Sequence, residues 1–183
     1  MNADQRPGSR WTLWLPLALF ALIAALVTWG LLKPPPREVR SRLIGQPLPV
    51  FNLPAAAADR PGLNRSDLVG AEPRLLNVFA SWCIPCAAEA PHLAALAAAG
   101  VEINGVAVRD RRDDLAAFLA RNGNPYARIG ADDRSTVQLA IGSSGVPETY
   151  VIDAKGVIRY QHIGDINGDN LPLLLQKLKE AGE

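Results

Sequence analysis

RLLNVFASWCIPCAAEAP, residues 74–91, carries the pattern from which we predict the fold of this chain. It starts with an almost continuous apolar run, which is typical of a β-strand buried on both faces of a sheet. It then becomes rich in alanine, the best helix former, so a helix is predicted from residue 85 to about residue 99. The only two cysteines of the chain, Cys83 and Cys86, therefore lie between a buried strand and the beginning of a helix.

This position favours redox chemistry at the two cysteines. The N-terminus of a helix presents free backbone N–H groups and the positive end of the helix dipole, and both stabilise a thiolate over a thiol. The pKa of the Cys83 thiol should therefore be lowered, and only a thiolate attacks a disulfide. Pro85 suits the first helical turn, where its missing N–H costs nothing. Cys86, one turn further along, can resolve a mixed disulfide at Cys83, so we interpret the pair as a reversible redox couple.

A zinc site and a permanent disulfide are the alternatives for this pair. A structural zinc ion needs four ligands, and besides the cysteines the chain offers only His92 and His162. A permanent disulfide that closes so short a loop would constrain the unfolded chain little. We therefore expect neither a metal nor another cofactor, with the Cys83–Cys86 disulfide as the redox group.

On both sides of this stretch the sequence alternates between strand and helix patterns. We predict strands at residues 50–53, 74–80 and 101–108 and a hairpin at 149–163 that turns at 153–156, and helices at residues 85–99, 111–123, 135–141 and 169–180. Asp110 is expected to cap the helix at 111–123, and Gly123 to end it. Strands that alternate with helices and end in an antiparallel hairpin indicate an α/β fold, with a central mixed sheet flanked by helices.

The N-terminal part of the chain is of a different kind. The length of 183 residues suits one domain and an additional segment, and a net charge of +1 gives no indication of a nucleic-acid partner. Residues 11–32 contain no charged residue. As a helix they would span roughly 33 Å, enough to cross a hydrocarbon core of ~30 Å. Trp11, Trp14 and Trp29 lie near the two ends, where interfacial aromatic residues are found.

We interpret this segment as an uncleaved membrane anchor. A signal peptide would have a shorter apolar core, of ~7–15 residues, and a small-residue cleavage site, which the following KPPPREVR does not supply. A naive count under the positive-inside rule places the C-terminal side of the anchor in the cytoplasm, but long translocated domains often override that count. The predicted organisation is an N-terminal tail at residues 1–10, a transmembrane helix at 11–32, a linker at 33–46 and a globular domain at 47–183.

Several motifs resemble those of known proteins. WCIPC followed by Pro91 resembles the active-site helix of thioredoxins, and SSGVPETYVIDAKGVIRY, residues 143–160, resembles the thioredoxin segment that carries a cis-proline opposite the cysteines. More narrowly, the chain resembles the CcmG/DsbE family of membrane-anchored periplasmic thiol–disulfide proteins of cytochrome c maturation. The narrower resemblance is carried by LIGQPLPVFNL, LLNVFASWC, NGNPYA, GVPETYVID and YQHIGDIN.

The resemblance implies a thioredoxin-like fold and a thiol–disulfide reductant. Members of the family accept electrons from a membrane transporter of the DsbD or CcdA type. They pass the electrons to apocytochrome c or to a dithiol protein that handles it. The resemblance also implies that the chain is anchored in the bacterial inner membrane with residues 1–10 in the cytoplasm, contrary to the naive charge count. The domain would then lie in the periplasm, where its dithiol must be kept reduced against an oxidising compartment.

The resemblance also singles out residues outside the cysteine pair. The Val146–Pro147 bond should be cis, although such bonds make up only ~5–6% of X-Pro bonds in folded proteins. A cis bond would present the backbone of Val146 to an extended peptide, which pairs with it as an additional strand. Trp82 is expected to form an apolar contact surface beside the cysteines.

Two glutamates match acidic positions of the family. Glu89 follows Cys86 by three residues and shares a helix face with it, and Glu148 directly follows Pro147. A carboxylate near a thiolate raises the pKa of the thiol by like-charge repulsion, so both are candidates to act on the cysteines. The alternative for each is a solvated surface residue. Asn77 stands where thioredoxins usually have a buried aspartate; it cannot titrate, and we interpret it as a buried amide bonded to the backbone.

Two other functions are compatible with the same residues. One is a general periplasmic reductase of the TlpA type that serves other clients, such as copper-site assembly factors. The other is a copper or apocytochrome chaperone that uses the thiols as ligands. The genes next to this one would separate the first from cytochrome assembly, and copper titration of the reduced domain would test the second.

Overall fold

The computed structural model describes residues 11–32 and 41–183, which belong to two separate units of the chain. The first unit contains helix α1, Trp11–Leu32, which is apolar on all sides. Among the described residues it is the one helix long and apolar enough to cross a membrane, a property that N-terminal signal sequences share. The predicted tail at residues 1–10 lies outside the described residues.

The second unit contains the predicted alternation of strands and helices. Its strands are β1 (Asn52–Leu53), β2 (Leu63–Asn64), β3 (Arg74–Phe79), β4 (Ile103–Val108), β5 (Arg128–Asp132), β6 (Glu148–Ile152) and β7 (Ile158–Ile163). Its α-helices are α2 (Ile84–Ala98), α3 (Arg112–Asn122), α4 (Thr136–Ala140) and α5 (Leu171–Glu180), and a short 3₁₀ helix spans Arg65–Leu68.

Five strands form a mixed sheet in the order β5-β4-β3-β6-β7. β3 pairs in parallel with β4 and antiparallel with β6, so it lies at the centre, and all six of its residues are buried. This arrangement confirms the predicted central strand and mixed sheet. Because β3 ends at Phe79, the chain leaves the middle of the sheet just before it reaches the cysteines and α2.

The two faces of the sheet bury different sets of side chains. On one face α2, α3 and α5 contribute Leu93, Phe118 and Leu174 to a core that also contains both cysteines. On the other face α4 and the segment that precedes β3 cover a core around Tyr150 and Ile152. Successive residues of a strand point to opposite faces, so the parity of a residue in β6 decides which of the two cores its side chain enters.

Strand β5 was not predicted from the sequence. Its five residues, RIGAD, include a glycine, which weakens a strand pattern. The glycine has a tertiary reason, because a Cβ at Gly130 would lie 2.7 Å from the Cβ of Leu53 in β1. The close packing of β1 over β5 thus requires a glycine at position 130, and this glycine is the reason that the sequence pattern did not predict β5.

Residues 41–46, which we had assigned to the linker, are part of the folded domain. The backbone N–H of Ser41 donates to Oε1 of Gln161 at 2.6 Å, and the Ser41 hydroxyl donates to the carbonyl of Ile141 at 2.6 Å. The N–H of Gly45 donates to the carbonyl of Ile158 at 2.7 Å. The packed domain therefore includes Ser41 and does not begin at residue 47, while residues 33–40 of the predicted linker lie outside the described residues.

We expect Gly105→Ala to destabilise the domain. Its Cβ would lie 2.8 Å from the ring of Phe79 and 3.1 Å from that of Tyr126, and overpacking of a core costs about 1–3 kcal/mol. The urea midpoint of the purified full-length chain in detergent should therefore decrease. Gly168→Ala is the matched control, since its Cβ would meet no atom within 4 Å. Equal midpoints for the two variants would contradict the expected clash.

Candidate active site

The cysteine pair lies at the start of α2, as the sequence predicts. Cys83 and Cys86 form a disulfide, and Cys83 is the N-cap of the helix. The backbone N–H of Cys86 donates to the sulfur of Cys83 at 3.2 Å. Both cysteines are buried, whereas the neighbouring Trp82 and Ile84 are 59% and 84% exposed. A thiolate at Cys83 would thus meet an N–H donor and the positive end of the helix dipole beside an exposed apolar surface.

The loop before Trp82 is held by an aspartate to which the sequence assigned another role. We expected Asp110 to cap α3, but the N-cap is Arg111 and has no side-chain hydrogen bond. The Asp110 carboxylate instead accepts from the backbone N–H of Ser81 at 2.6 Å and from the Ser81 hydroxyl at 2.5 Å. This carboxylate lies at the end of β4, next to the end of β3, and therefore ties the two loops together.

The predicted cis-proline is present beside this loop. The Val146–Pro147 bond is cis. Antiparallel pairing aligns Glu148 with Val78, so the residues before Glu148 run alongside those that lead from β3 to the cysteines. Val146 is half-buried and packs against the core cluster that contains both cysteines. Its backbone is thus positioned where an extended partner would pass the disulfide.

Glu89 is buried and is not the solvated residue of the alternative interpretation. Its carboxylate accepts from Nδ2 of Asn77 and from the backbone N–H of Ile166, both at 3.0 Å. Burial raises the pKa of Glu89 to about 7; these two hydrogen bonds oppose the rise and the nearby charge of Asp165 adds to it. One turn after Cys86 on α2, Glu89 is a group that can exchange a proton near neutral pH.

Asn77 is buried as predicted, but its amide bonds to side chains and not to the backbone. Nδ2 donates to Glu89 and to the hydroxyl of Thr149, and Oδ1 accepts from the hydroxyl of Tyr126 at 2.8 Å. Because Tyr126 occupies Oδ1, the amide nitrogen has to face Glu89. Asn77 in β3 thereby fixes the orientation of the Glu89 carboxylate.

Tyr126 is a site residue that sequence reasoning missed. The motif NGNPYA is among those that carry the family resemblance, but the sequence pattern gives no role to its tyrosine. In the structure its ring stacks on Phe79, with ring centroids 4.5 Å apart. Burial, and secondarily the charge of Glu89, raises the pKa of Tyr126 well above its ordinary value. The hydroxyl therefore stays protonated and remains a donor to Asn77.

Glu148 does not lie beside the cysteines, contrary to our expectation. Its neighbour Thr149 bonds to Asn77 on the face covered by α2, and strand alternation therefore directs Glu148 to the opposite face. There its carboxylate accepts from the hydroxyl of Tyr150 at 2.8 Å, in the other core. Adjacency to Pro147 in sequence suggested proximity to Cys83, but the pleat of β6 separates them.

Comparison with known proteins agrees with this geometry. The Redoxin family model matches residues 43–178. The thiol:disulfide interchange protein DsbE of Pseudomonas fluorescens biotype C is 44% identical over 158 residues, which cover 86% of this chain and 87% of the relative. DsbE of Escherichia coli (strain K12) is 40% identical over 164 residues, with coverage of 86% and 88%. The solved structure of a DsbE-like protein from Chlorobium tepidum has a TM-score of 0.64 at 25% identity and covers 76% of this chain and 98% of that protein.

Fold and site together define a thiol–disulfide oxidoreductase with a thioredoxin-like fold. Identity of 36–44% with curated relatives over most of the chain allows a narrower assignment: this protein belongs to the DsbE family of thiol:disulfide interchange proteins. The family resemblance inferred from the sequence motifs is thereby confirmed.

We expect the stability of the oxidised protein to depend on pH through Glu89. The carboxyl of Glu89 has an ordinary pKa of 4.5 in the unfolded chain and a pKa of about 7 in the folded chain. Between these values the folded state binds more protons, so its stability falls as the pH rises. Glu89→Gln removes the effect. Relative to this variant, the wild-type free energy of unfolding should fall by up to ~1.4 kcal/mol per pH unit in this interval.

Urea unfolding at several pH values, with the disulfide intact, measures this difference. Glu72→Gln, at an exposed glutamate, controls for the loss of one carboxylate. Parallel stability profiles for wild type and Glu89→Gln would show that Glu89 does not carry the raised pKa.

Proposed function

We propose that this protein is a periplasmic reductant of cytochrome c maturation. In this proposal it takes electrons from a membrane transporter of the DsbD or CcdA type. It passes them to the C-x-x-C disulfide of apocytochrome c, or of a dithiol protein that handles it. The observation that carries the proposal is the Cys83–Cys86 pair at a helix N-terminus beside a cis-proline, in a chain 44% identical to a DsbE protein.

The proposed cycle begins with the dithiol. The Cys83 thiolate attacks one sulfur of the partner disulfide, the partner S–S bond breaks, and one partner sulfur leaves as a thiolate. Cys86 then loses its proton and attacks the sulfur of Cys83, which releases the second partner thiolate and forms the Cys83–Cys86 disulfide. Two electrons have passed to the partner, whose two sulfurs take up protons. The membrane donor then reduces the disulfide by the same exchange in reverse.

We assign separate roles to the other groups of the site. Glu89, with its pKa near neutrality, accepts the proton of Cys86 during the second attack. The backbone of Val146 pairs with the extended partner, and Trp82 supplies the exposed apolar contact. The Cys83–Cys86 disulfide is the redox group, and the cycle needs no metal or other cofactor.

Cys86→Ala should trap the partners of the protein. The variant keeps the attacking thiol and lacks the thiol that releases the mixed disulfide, so adducts through Cys83 should accumulate in the periplasm. Mass spectrometry of non-reduced adducts should identify apocytochrome c or a maturation dithiol protein together with the membrane donor. Cys83→Ala is the matched control and should trap little, because Cys86 lacks the position at the helix N-terminus. Equal trapping by both variants would contradict the assigned roles, and only unrelated periplasmic proteins would indicate a general reductase.

We expect the domain to lie on the periplasmic side of the anchor. Alkaline phosphatase fused after Glu183 should be active, because that enzyme needs disulfides that form in the periplasm. A β-galactosidase fusion at the same point serves as the reciprocal control and should be inactive. The opposite pair of activities would restore the orientation given by the naive count of positive charges.

A further inference from the structure

Glu148 is buried, 1% exposed, and its carboxylate is saturated by hydrogen bonds. Oε1 accepts from the backbone N–H of Ser144 at 2.9 Å and from the Ser144 hydroxyl at 2.6 Å. Oε2 accepts from the hydroxyl of Tyr150 at 2.8 Å and from Nε2 of Gln161 at 2.9 Å. Within residues 11–32 and 41–183 it forms no ion pair, so these hydrogen bonds are what balance the burial of the carboxylate there.

One pair of these bonds closes the loop that carries the cis-proline. Ser144 and Glu148 are the two ends of a five-residue segment with Val146 and Pro147 between them. Ser144 is itself exposed, and the Glu148 carboxylate accepts hydrogen bonds from both its backbone N–H and its hydroxyl. Within the same loop the Ser143 hydroxyl donates to the carbonyl of Gly145 at 2.9 Å. Glu148 thus holds the loop from inside the protein, away from the cysteines.

The other pair of bonds requires the side chain at position 148 to accept hydrogen bonds and not to donate them. Gln161 on β7 directs its Nε2 toward Glu148 because its Oε1 already accepts from the backbone N–H of Ser41 at 2.6 Å. If the Gln161 amide were flipped, its NH₂ group would face the backbone N–H of Ser41, and two donors would meet without an acceptor. Position 148 therefore has to present acceptors on both sides, toward Ser144 and toward Gln161, and a carboxylate does so whereas an amide does not.

We propose that Glu148 is a positioning residue for partner binding: its carboxylate holds the Ser144–Pro147 loop in the conformation in which the Val146 backbone can pair with an extended protein disulfide. The inference rests on the proposed function, since it concerns the protein partner of the same site. It assigns to Glu148 an effect on docking and none on the Cys83 thiolate, which lies on the other face of the sheet.

The test compares two disulfides and three variants in the reduced full-length chain in detergent. One substrate is an extended peptide with a C-x-x-C-H disulfide. The other is hydroxyethyl disulfide, which has no backbone to pair with Val146. Glu148→Gln turns an amide donor toward Gln161. In the double variant Glu148→Gln/Gln161→Glu, the amide oxygen at position 148 still accepts from Ser144 and the carboxylate at position 161 still accepts from the backbone N–H of Ser41. The hydrogen bond between positions 148 and 161 is restored with the donor and acceptor exchanged. Ser144→Ala removes one donor at an exposed position and does not threaten folding.

Glu148→Gln should lower the second-order rate constant with the peptide by about tenfold, the size expected when buried donors lose their acceptor. Its rate with hydroxyethyl disulfide and its Cys83 thiolate absorbance against pH should match those of the wild type. The double variant should recover most of the peptide rate. Ser144→Ala should show a smaller loss with the peptide alone.

Other outcomes overturn one proposal or both. Equal loss with both disulfides, or a displaced Cys83 titration, would mean that Glu148 acts on the thiol. An unchanged peptide rate in Glu148→Gln, or in Ser144→Ala should Glu148→Gln fail to fold, would remove the positioning role and leave the proposed function intact. Failure of the double variant to recover the peptide rate would show that the hydrogen-bond pattern is not the cause. A wild type that reduces the peptide no faster than hydroxyethyl disulfide would refute the proposed function, and this inference with it.

Discussion

β3, the central strand of the sheet, pairs with a strand on each side and is buried on both faces. A polar residue in such a strand has no access to water, and each buried donor or acceptor left without a partner costs about 1–3 kcal/mol. Asn77 lies in this strand and is satisfied by Glu89 from α2, Thr149 from β6 and Tyr126 from the loop before β5. Hydrogen bonds to one central amide thereby connect three separate elements around the cysteines.

The two buried glutamates of the domain, Glu89 and Glu148, lie on opposite faces of the sheet. Glu89 lies on the face that carries the cysteines, and its burial brings its pKa near to neutrality, where proton exchange is useful. Glu148 lies on the opposite face and bonds to the loop that carries the cis-proline. In the function that we propose, separate carboxylates on opposite faces of the sheet therefore support the chemistry at sulfur and the presentation of backbone to a partner.

Much of the fold could be predicted because local preference and tertiary environment agree. The apolar run that becomes β3, the alanine-rich α2 and the turn between β6 and β7 each carry an unambiguous pattern. The predictions were wrong where a distant contact decides. Leu53 packs so close to β5 that position 130 has to be a glycine, and this glycine weakens the strand pattern of β5. Residues 41–46 have the pattern of a linker because the strand to which they bond, β7, follows more than a hundred residues later.

The redox chemistry of this protein could be predicted from two cysteines at the start of a helix after a buried strand, and the motif around Val146–Pro147 resembles the thioredoxin segment that carries a cis-proline. The position of the cysteines depends on neighbours along the chain, so local physics is sufficient to predict it. The cis bond was expected from the resemblance to thioredoxins. The contacts of the other polar residues could not be predicted in this way, because they depend on tertiary packing. Strand pairing turned Glu148 away from Cys83, and packing brought Tyr126 onto Asn77 across 49 positions of sequence. The direction of a side chain in a sheet follows from register, and register is set by partners that lie far away along the chain.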